Sequence, residues 1–567
     1  MKSLSPRYTC GLIISILLTL VLAGGSFASD QEKRKYWIYF SDKGPIVTGQ
    51  AGKLARQSLS PRAVQRRILR GKPGAIFDTS DLPVYKEYIR EVEQYGVEIC
   101  RRSRWLNAIS VWADPVQTEQ LRELPFIEKI EPVAIYVREP LNLDQGKFDK
   151  SGSGFGISGL DYGASLNQIQ VCNIAPLHDD GLSGQGILIA LLDSGYFYEQ
   201  HQALQHLDIV AEHDFIFNDD ITKNEDGDAV SQHNHGTWVL SVVGGFLPGT
   251  LIGPAYGAEY ALAKTEFIPT ETRIEEDNWV AAVEWSDSLG ADIISSSLGY
   301  LIFDNGVEPY TYDDLDGRSM VTSIAASMAV AKGIVVVISA GNEGNVPDWP
   351  YVWSPADGIG VIAAGAVNSQ GIRNSFSSIG PTADNRIKPD VMAMGSAVIA
   401  ADPRNSTGTV SLLGTSLSAP IVAGICALML EKIPALTPAN VLTALTETAS
   451  QAGAPNNLMG YGIANAAEAA SYFESIEIPS KFAIYPSSIN SALTRTTFFI
   501  DMPETAMVSV SIFNPLGQQV GTIEEQVVAG TKRPLLWNWP SYLANGVYFA
   551  RFRSPTKEGI QKTIVLR

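Results

Sequence analysis

Asp193 and His235 are two residues whose types and positions could support acid–base chemistry. Asp193 directly follows the apolar run 187–192. A buried carboxylate at a strand end needs a partner, because leaving it unpaired costs on the order of several kcal/mol. A carboxylate can orient a histidine, and all six histidines lie between residues 178 and 235. His235, in His-Gly-Thr before a helix-like segment, is the best placed to act as a base. An Asp that caps a turn is the alternative for Asp193 considered alone.

Two other histidines have simpler interpretations. His233 lies in a polar loop and is predicted to be solvated, and His201 is predicted to be structural. A zinc site formed by His233 and His235 is disfavoured, because no third ligand stands at the expected spacing. We therefore predict no metal ligands among these residues.

Ser416 could supply the nucleophile. It lies in Gly-Thr-Ser-Leu-Ser-Ala-Pro, before the apolar run 421–430. Because proline is tolerated in a first helical turn, Pro420 predicts a helix start at 416–420, and the apolar run indicates that this helix is buried. Ser416 would then face backbone N–H groups that stabilise developing negative charge. An ordinary Ser-capped helix is the alternative.

Asn342 could provide a second donor to an oxyanion. It lies in Ser-Ala-Gly-Asn-Glu-Gly, directly after the apolar run 333–338. A side-chain amide in this position can donate an N–H to a tetrahedral intermediate. An Asn in a Gly-rich turn is the simpler alternative.

The elements that must position these four residues follow from the hydrophobic pattern of residues 166–472. Apolar runs without alternation recur there and are separated by helix-like segments; the runs are 187–192, 260–263, 292–296, 333–338 and 361–364, and the segments are 237–243, 274–289 and 320–332. Such runs are typical of parallel strands covered on both faces. We predict an α/β domain with a doubly wound parallel sheet, whose strand carboxyl ends would gather the candidate residues.

The four motifs, in the chain order Asp, His, Asn, Ser, resemble those of subtilisin-like serine proteases. The matching segments are Leu-Leu-Asp-Ser-Gly, His-Gly-Thr, Ser-Ala-Gly-Asn and Gly-Thr-Ser-Leu-Ser-Ala-Pro. The resemblance implies a serine endopeptidase acting on proteins or peptides, in which Asp193 orients His235 and His235 moves the proton of Ser416. It also implies that Asn342 and the Ser416 backbone N–H bind the oxyanion.

The same resemblance implies how substrate is held. Ser297, Leu298 and Gly299 match a segment that pairs with the substrate backbone, and Ala340 and Gly341 would help to wall the primary specificity pocket. This peptide-pairing segment argues against an esterase that uses the same triad.

Two departures from the family pattern are visible. Trp353 stands at the expected pocket floor, where a small residue is usual, so a preference for small or short side chains is predicted. Residues 244–249 replace the Asn-rich loop that holds calcium in many relatives. We expect no cofactor; a structural calcium ion is compatible with the sequence, but its usual site is not evident.

The N-terminal segments have the pattern of an exported zymogen. Residues 1–28 combine Lys2 and Arg7, an apolar run and small residues, which predicts a signal peptide removed after Ala28, no permanent membrane span, and a secreted or cell-surface protein. Residues 30–140 read as a strand-helix-strand-strand-helix-strand unit of α+β type. This unit resembles the prodomains of the family, which assist folding and inhibit the enzyme. Residues 141–165 are Gly/Ser-rich and are predicted to be a linker and processing region.

Charge divides the chain in the same place. Residues 30–140 contain 19 Lys and Arg against 15 Asp and Glu, a balance of +4. Because the total is −18 and residues 1–29 add +2, residues 141–567 carry −24. An acidic body disfavours nucleic acid as a partner, and a basic leading unit could dock on it. Surface charging for solubility is the alternative.

The C-terminal segment has a different texture. After a linker at 473–482, residues 483–567 show short alternating strands with turn residues, which predicts a small β-sandwich. Tyr485-Pro486 and Asn514-Pro515-Leu516-Gly517-Gln518 resemble motifs of sorting domains of the type IX secretion route, which implies a secretion machinery as partner. A non-catalytic surface protein that binds through this sandwich is the alternative function.

Cysteine usage does not indicate a disulfide framework. Removal of the leader leaves Cys100, Cys172 and Cys426. An odd number spread this widely allows one bridge at most, and we predict none. Cys426 lies in an apolar run and is predicted to be core.

Overall fold

The computed structural model of the protein describes most of the chain outside its first 32 residues. The described ranges are 33–45, 51–71, 76–133, 135–136, 159–267, 274–300, 310–473, 483–490, 495–503, 505–527, 530–540, 543–555 and 557–565. The predicted signal peptide 1–28 lies outside them. So do residues 141–158 of the predicted processing region.

The N-terminal unit is a four-stranded antiparallel sheet with helices. Its elements are β1 (Arg34–Phe40), α1 (Ala51–Gln57), α2 (Pro61–Arg70), α3 (Lys86–Glu93), β2 (Glu98–Ser103), β3 (Ala108–Ala113), α4 (Pro115–Arg122) and β4 (Ile127–Pro132), followed by the short strand β5 (Ile135–Tyr136). The sheet order is β2-β3-β1-β4. This order of elements confirms the strand-helix-strand-strand-helix-strand pattern, with more than one helix between β1 and β2.

Local sequence explains where the helices of this unit begin. Ser60 caps α2 by accepting a hydrogen bond from Ala63 N, and Pro61 occupies the first helical position. Asp114 caps α4 in the same manner and forms a capping box with Gln117. Proline suits these first positions because its missing N–H would have no helical partner there.

The central unit is built on a seven-stranded parallel sheet of order β15-β14-β13-β12-β6-β10-β7. The strands of this unit are β6 (Leu188–Asp193), β7 (Asp208–Asp214), β8 (Phe246–Leu247), β9 (Leu251–Ile252), β10 (Glu259–Lys264), β11 (Ile274–Glu275), β12 (Ile293–Ser296), β13 (Val335–Ser339), β14 (Ile362–Val367), β15 (Val391–Met394), β16 (Ser396–Ala401) and β17 (Thr409–Leu413). Its helices are α5 (Leu166–Gln170), α6 (Ala175–Asp179), α7 (Asn234–Gly244), α8 (Glu276–Leu289), α9 (Val321–Ala331), α10 (Thr415–Lys432), α11 (Pro438–Glu447) and α12 (Ala466–Ser471).

Apolar cores lie on both faces of this sheet. Along β6, Ile189 and Leu191 pack into the core that contains α7 and α10, whereas Leu188, Ala190 and Leu192 pack into the core that contains α8 and α9. A strand that is covered on both sides has no solvent face, which explains its unbroken apolar sequence. The doubly wound α/β prediction is confirmed.

Helix α10 passes through the centre of the unit. By length and composition it could span a membrane, but 89% of its 18 residues are buried inside the protein, which is the pattern of a core helix. Cys426 lies in this helix and is fully buried, as predicted. Cys172 and Cys426 are both free thiols, and burial raises the pKa of Cys172 to about 12.

The C-terminal unit is a β-sandwich. Its strands are β18 (Ala483–Asn490), β19 (Arg495–Met502), β20 (Ala506–Phe513), β21 (Gln519–Val527), β22 (Gly530–Asn538), β23 (Gly546–Arg553) and β24 (Glu558–Val565). They form sheets of order β18-β19-β22 and β21-β20-β23-β24. The sheets share one core, to which Phe498, Val510, Trp537 and Phe552 contribute. The predicted sandwich is therefore present.

Candidate active site

Asp193 and His235 form a buried hydrogen-bonded pair. Asp193 is the last residue of β6, near the centre of the parallel sheet, and His235 is the second residue of α7. His235 Nδ1 lies 2.7 Å from Oδ1 and 2.9 Å from Oδ2 of Asp193, and the side chains are 3% and 1% exposed. Asp193 Oδ1 also accepts a hydrogen bond of 2.7 Å from Ser194 N. These bonds fix the ring of His235, and because a carboxylate accepts hydrogen bonds, the arrangement favours the tautomer with its proton on Nδ1.

Ser416 is the second residue of α10 and is 5% exposed. Gly414 precedes the helix with φ 142°, a backbone conformation that favours glycine, and this sharp turn brings the chain into the helix. The helix containing Ser416 packs against α7, which carries His235. The sequence therefore folds so that both residues lie on neighbouring helices at one edge of the sheet.

Pro420 lies inside α10, in its second turn, because the helix begins at Thr415. The prediction that Pro420 occupies the first turn is wrong by a few residues. Pro420 has no N–H to donate to the carbonyl of Ser416, four residues earlier. That carbonyl instead accepts a hydrogen bond of 2.8 Å from the Ser297 hydroxyl. The proline thus leaves the Ser416 carbonyl without a helical donor. Ser297, which is predicted to begin the substrate-pairing segment, donates to this carbonyl instead.

The side-chain amide of Asn342 is oriented by Thr415. Its Oδ1 accepts hydrogen bonds from Thr415 N at 2.9 Å and from Thr415 Oγ1 at 3.0 Å. The backbone is held as well, because Asn342 N donates to Glu343 Oε2 at 2.7 Å. With its oxygen engaged at the helix start, the amide presents Nδ2 as its donor. An amide held this way can stabilise an oxyanion beside Ser416.

The predicted substrate-binding residues lie on two segments beside Ser416. Ser297, Leu298 and Gly299 follow β12, and Ala340 and Gly341 follow β13. The two strands are neighbours in the sheet. Gly341 N and O both lie within 3.2 Å of Thr415 Oγ1. The structure thus brings all nine predicted site residues to the carboxyl edge of the sheet and the start of α10.

The remaining candidate histidines are engaged elsewhere. His201 is fully buried, and its Nε2 lies 2.8 Å from the carbonyl of Gly408, which suits the structural role predicted for it. His233 is half-buried rather than solvated, and its ring stacks on Phe197 with 4.9 Å between centroids. Burial lowers the pKa of His233.

An acidic cluster that the sequence patterns did not predict lies at the end of β7. Asp214, Asp219 and Glu225 each place an oxygen within 4.8 Å of the others. Burial raises the pKa of Glu225, and the charges of Asp219 and Asp214 add to this effect. The Lys264 ammonium compensates part of the charge, at 2.7 Å from Asp214 and 2.8 Å from Asp228. Such an oxygen set suits a hard cation such as Ca²⁺. The sequence signal for this cluster is the high density of acidic residues at 219–228. This segment precedes His235, whereas the calcium loop expected from the family resemblance would follow it, at 244–249.

The end of the N-terminal unit reaches the central unit as a strand. Residues Ile135–Tyr136 pair antiparallel with Ile274–Glu275, in the register Tyr136 with Ile274 and Ile135 with Glu275. The chain thus enters the central unit beside α8 by adding a strand to it.

The fold and this site define a class of protein. A buried carboxylate–histidine pair, a serine at a helix start and an oriented amide, all at the carboxyl edge of a doubly wound sheet, are the groups of a serine hydrolase. Comparison of the sequence with known families agrees: residues 184–462 match the profile described as the Subtilase family, and residues 35–149 match the Peptidase S8 propeptide domain of Bacteroidota. The chain belongs to the subtilase family and is a subtilisin-like serine endopeptidase with a propeptide domain.

Three subtilisins are similar to between half and two thirds of the chain. The chain is 31% identical over 292 residues to Subtilisin DY of Bacillus licheniformis, a match that covers 51% of this chain and 93% of that protein. It is 30% identical over 295 residues to Subtilisin of Bacillus pumilus, covering 52% and 94%. It is 28% identical over 365 residues to Subtilisin NAT of Bacillus subtilis subsp. natto, covering 64% and 80%. These relatives do not favour the alternative of a non-catalytic surface protein.

Proposed function

We propose that this protease cleaves peptide bonds through an acyl-enzyme on Ser416. The observation that carries the proposal is the buried hydrogen bond of 2.7 Å between His235 Nδ1 and Asp193. In the neutral ring with its proton on Nδ1 toward Asp193, the lone pair of Nε2 can accept the proton of the Ser416 hydroxyl. His235 then returns the proton to the leaving amine, and water repeats the sequence to release the acyl group. The Asp193 carboxylate stabilises the imidazolium formed at each step.

The oxyanion of each tetrahedral intermediate would be bound by two donors. One is Nδ2 of Asn342, whose orientation is fixed by Thr415, and the other is the backbone N–H of Ser416 at the helix start. Both donors are held before substrate arrives, so little reorganisation is needed when charge develops. The substrate backbone would pair with residues 297–299.

We further propose that the N-terminal unit inhibits the enzyme until it is cut away. Lys35 Nζ lies 2.8 Å from Asp277 Oδ2 on α8, and Trp37 Nε1 donates a hydrogen bond of 3.1 Å to Glu276. The strand pair between 135–136 and 274–275 joins the end of the N-terminal unit to the central unit. Self-cleavage within 138–165 would release the mature enzyme.

Export completes the proposal. The leader at 1–28 and the relatives named above support a protease that acts outside the cell, secreted or held at its surface. The sandwich of 483–567 would serve as the sorting domain of a type IX route, on the motifs at 485–486 and 514–518. No cofactor takes part in the chemistry proposed.

Replacing Ser416 by Ala tests the proposed chemistry. The Ser416→Ala protein should lose casein hydrolysis by more than about 10⁴-fold, and it should retain its N-terminal unit uncut. Ser418→Ala is the matched control, since its hydroxyl lies two residues further along the same helix and bonds only weakly, at 3.3 Å from Ala393 O. Near wild-type cleavage by purified Ser416→Ala protein would refute the assignment.

A further inference from the structure

A closed circuit of hydrogen bonds surrounds the space beside Ser416. Ser297 bonds to the Ser416 carbonyl, and the segment that follows is joined to the next loop by Tyr300 N, which donates to Ser354 O at 2.8 Å. That loop is joined to the next by Val352 N, which donates to Ile379 O at 2.9 Å.

The circuit returns to the helix start through β13. Ser378 N donates to the carbonyl of Gly341 at 3.0 Å, and Asn342 bonds to Thr415, the residue before Ser416. Segments 297–300, 351–354, 378–379 and 340–342 are therefore linked in a ring beside the start of α10. With Ser416 as the nucleophile, the side chain of the substrate residue on the acyl side would enter the space that this ring surrounds, which we call the pocket.

Trp353 is the largest side chain on this circuit. A Cβ atom built on Gly299 would lie 3.0 Å from Cβ and 3.3 Å from Cε3 of Trp353. The indole therefore contacts the backbone of Gly299 with no side chain between them. Trp353 is half-buried and packs against the core on the α8 and α9 face of the sheet.

The backbone that carries Trp353 has little freedom to move. Its carbonyl accepts a hydrogen bond of 2.8 Å from Ala356 N, and the neighbouring Ser354 is fully buried. The Ser354 hydroxyl bonds to Thr322 at 2.5 Å and to Ser323 at 2.7 Å, both on α9. The indole is thus held on a rigid support rather than on a loose loop.

We propose that the Trp353 indole fills the bottom of this pocket and makes it shallow. The protease then cleaves after small residues such as Gly, Ala and Ser and discriminates against aromatic and long aliphatic residues. The inference rests on the proposed function, because it takes Ser416 as the nucleophile. An indole that occupies the pocket excludes a second large side chain by steric overlap, whereas a methyl group fits against its face. Trp353 is in this view a specificity residue for the substrate side chain on the acyl side of the scissile bond.

The cleavage profile of the wild-type enzyme is the first test, and it needs no variant. Activated wild-type protein is incubated with a denatured protein mixture, and the new termini are identified by mass spectrometry. Cleavage should concentrate after Gly, Ala and Ser. Frequent cleavage after Phe, Tyr or Leu would overturn the inference and leave the proposed chemistry intact, whereas absence of cleavage, or equal cleavage by Ser416→Ala protein, would refute the proposed function itself.

Substitution of Trp353 is the second test. Two fluorogenic peptides are compared that differ only in Ala or Phe before the scissile bond. Trp353→Ala should raise kcat/KM for the Phe peptide by about 10-fold or more relative to the Ala peptide, and Trp353→Phe should give a smaller change in the same direction.

Trp349→Ala is the matched control, since Trp349 belongs to the same aromatic group, at 6.0 Å from Tyr351 between centroids, and should leave the ratio unchanged. An unaltered ratio in folded Trp353→Ala protein, or an equal shift in the control, would contradict the inference. If Trp353→Ala does not fold, Trp353→Phe and the wild-type profile decide.

Discussion

Arg67 of helix α2 lies 2.6 Å from Asp287 of helix α8, measured from Nη2 to Oδ2, and the side chains are 3% and 0% exposed. Arg66 and Arg104 of the N-terminal unit bind the same carboxylate, at 2.5 Å and 3.1 Å. Three guanidinium groups therefore converge on one acid of the central unit. Salt has little access to such a buried group, so this contact is screened far less than exposed pairs are.

Replacing Asp287 by Asn should weaken inhibition by the separated N-terminal unit. The substitution replaces the carboxylate that the three guanidinium groups share by a neutral amide, and the site is buried. We therefore expect the inhibition constant to rise by about 30-fold or more. The measurement is inhibition of mature enzyme by purified residues 30–140. Glu468→Gln, an exposed acid on α12, is the control and should leave the constant unchanged. A constant equal to that of wild type would show that the arginine cluster contributes no affinity.

Replacing Asn342 by Ala should lower kcat by about 10²–10³ with little change in KM, because its bond to the oxyanion strengthens in the transition state. Thr415→Val should produce part of this loss, since it removes the hydroxyl that holds Oδ1 of Asn342 at 3.0 Å and keeps the backbone donor. Both are measured by steady-state kinetics on one peptide. An effect of Asn342→Ala on KM alone would mean that the amide does not serve the oxyanion.

Replacing Ser297 by Ala should remove the donor to the Ser416 carbonyl. The buried carbonyl has no N–H from Pro420, so the start of α10 should shift, and we expect kcat to fall by about 10-fold, given how strongly catalysis depends on positions of reacting groups. KM should change little, because the backbone that pairs with substrate remains. Ser295→Ala is the control, since its buried hydroxyl has no hydrogen-bond partner among the described residues. Equal kcat values for the two variants would contradict this role of Ser297.

Glu525 of β21 should make the contact between the sandwich and α11 sensitive to pH. Burial raises the pKa of Glu525 to about 7, although a hydrogen bond of 3.0 Å from Asn440 opposes the shift. A raised pKa means that the folded protein holds a proton that the unfolded chain releases, so the stability from this group is present at low pH and is lost as pH rises toward 7.

Glu525→Gln should remove this dependence, because the amide stays neutral. Thermal unfolding of the two proteins between pH 5.5 and 8.5 is the measurement. The difference between them should grow in favour of the variant as pH rises from 5.5 to about 7 and should level off above that pH. Parallel curves would show that Glu525 does not titrate at this contact.

Short-range patterns made much of the central unit predictable. The strand that ends at Asp193 is apolar on both faces, and the glycine, serine and proline around Ser416 signal a turn into a helix, so the sheet and its candidate residues could be found from local sequence. Edge strand β7 could not, because the three apolar residues 209–211 stand between Asp208 and the polar residues 212–214, so Asp208–Asp214 has neither a long apolar run nor an alternating pattern.

Long-range partners are the second limit. Arg67 and Asp287 lie 220 residues apart, and no local pattern states that they meet. The opposite net charges of residues 30–140 and 141–567 were compatible with docking of the N-terminal unit on the central unit, but also with surface charging for solubility. The hydrogen bond from Ser297 to Ser416 could not be predicted either. The missing N–H of Pro420 leaves the Ser416 carbonyl without a donor only if Ser416 already lies in the helix, and the sequence pattern did not determine where the helix starts.

The arginine cluster on α2 has a consequence for when the protease becomes active. While the chain is intact, the N-terminal unit is covalently linked to the central unit, and such a link keeps the two units at a high effective concentration. A single cut leaves every contact in place but exposes the pair to dilution. At high enzyme concentration, the detached N-terminal units would rebind and inhibit the enzyme molecules. Activity would appear on dilution. If the N-terminal unit inhibits the enzyme as proposed, the activity of the protease would therefore fall as the local concentration of enzyme molecules rises.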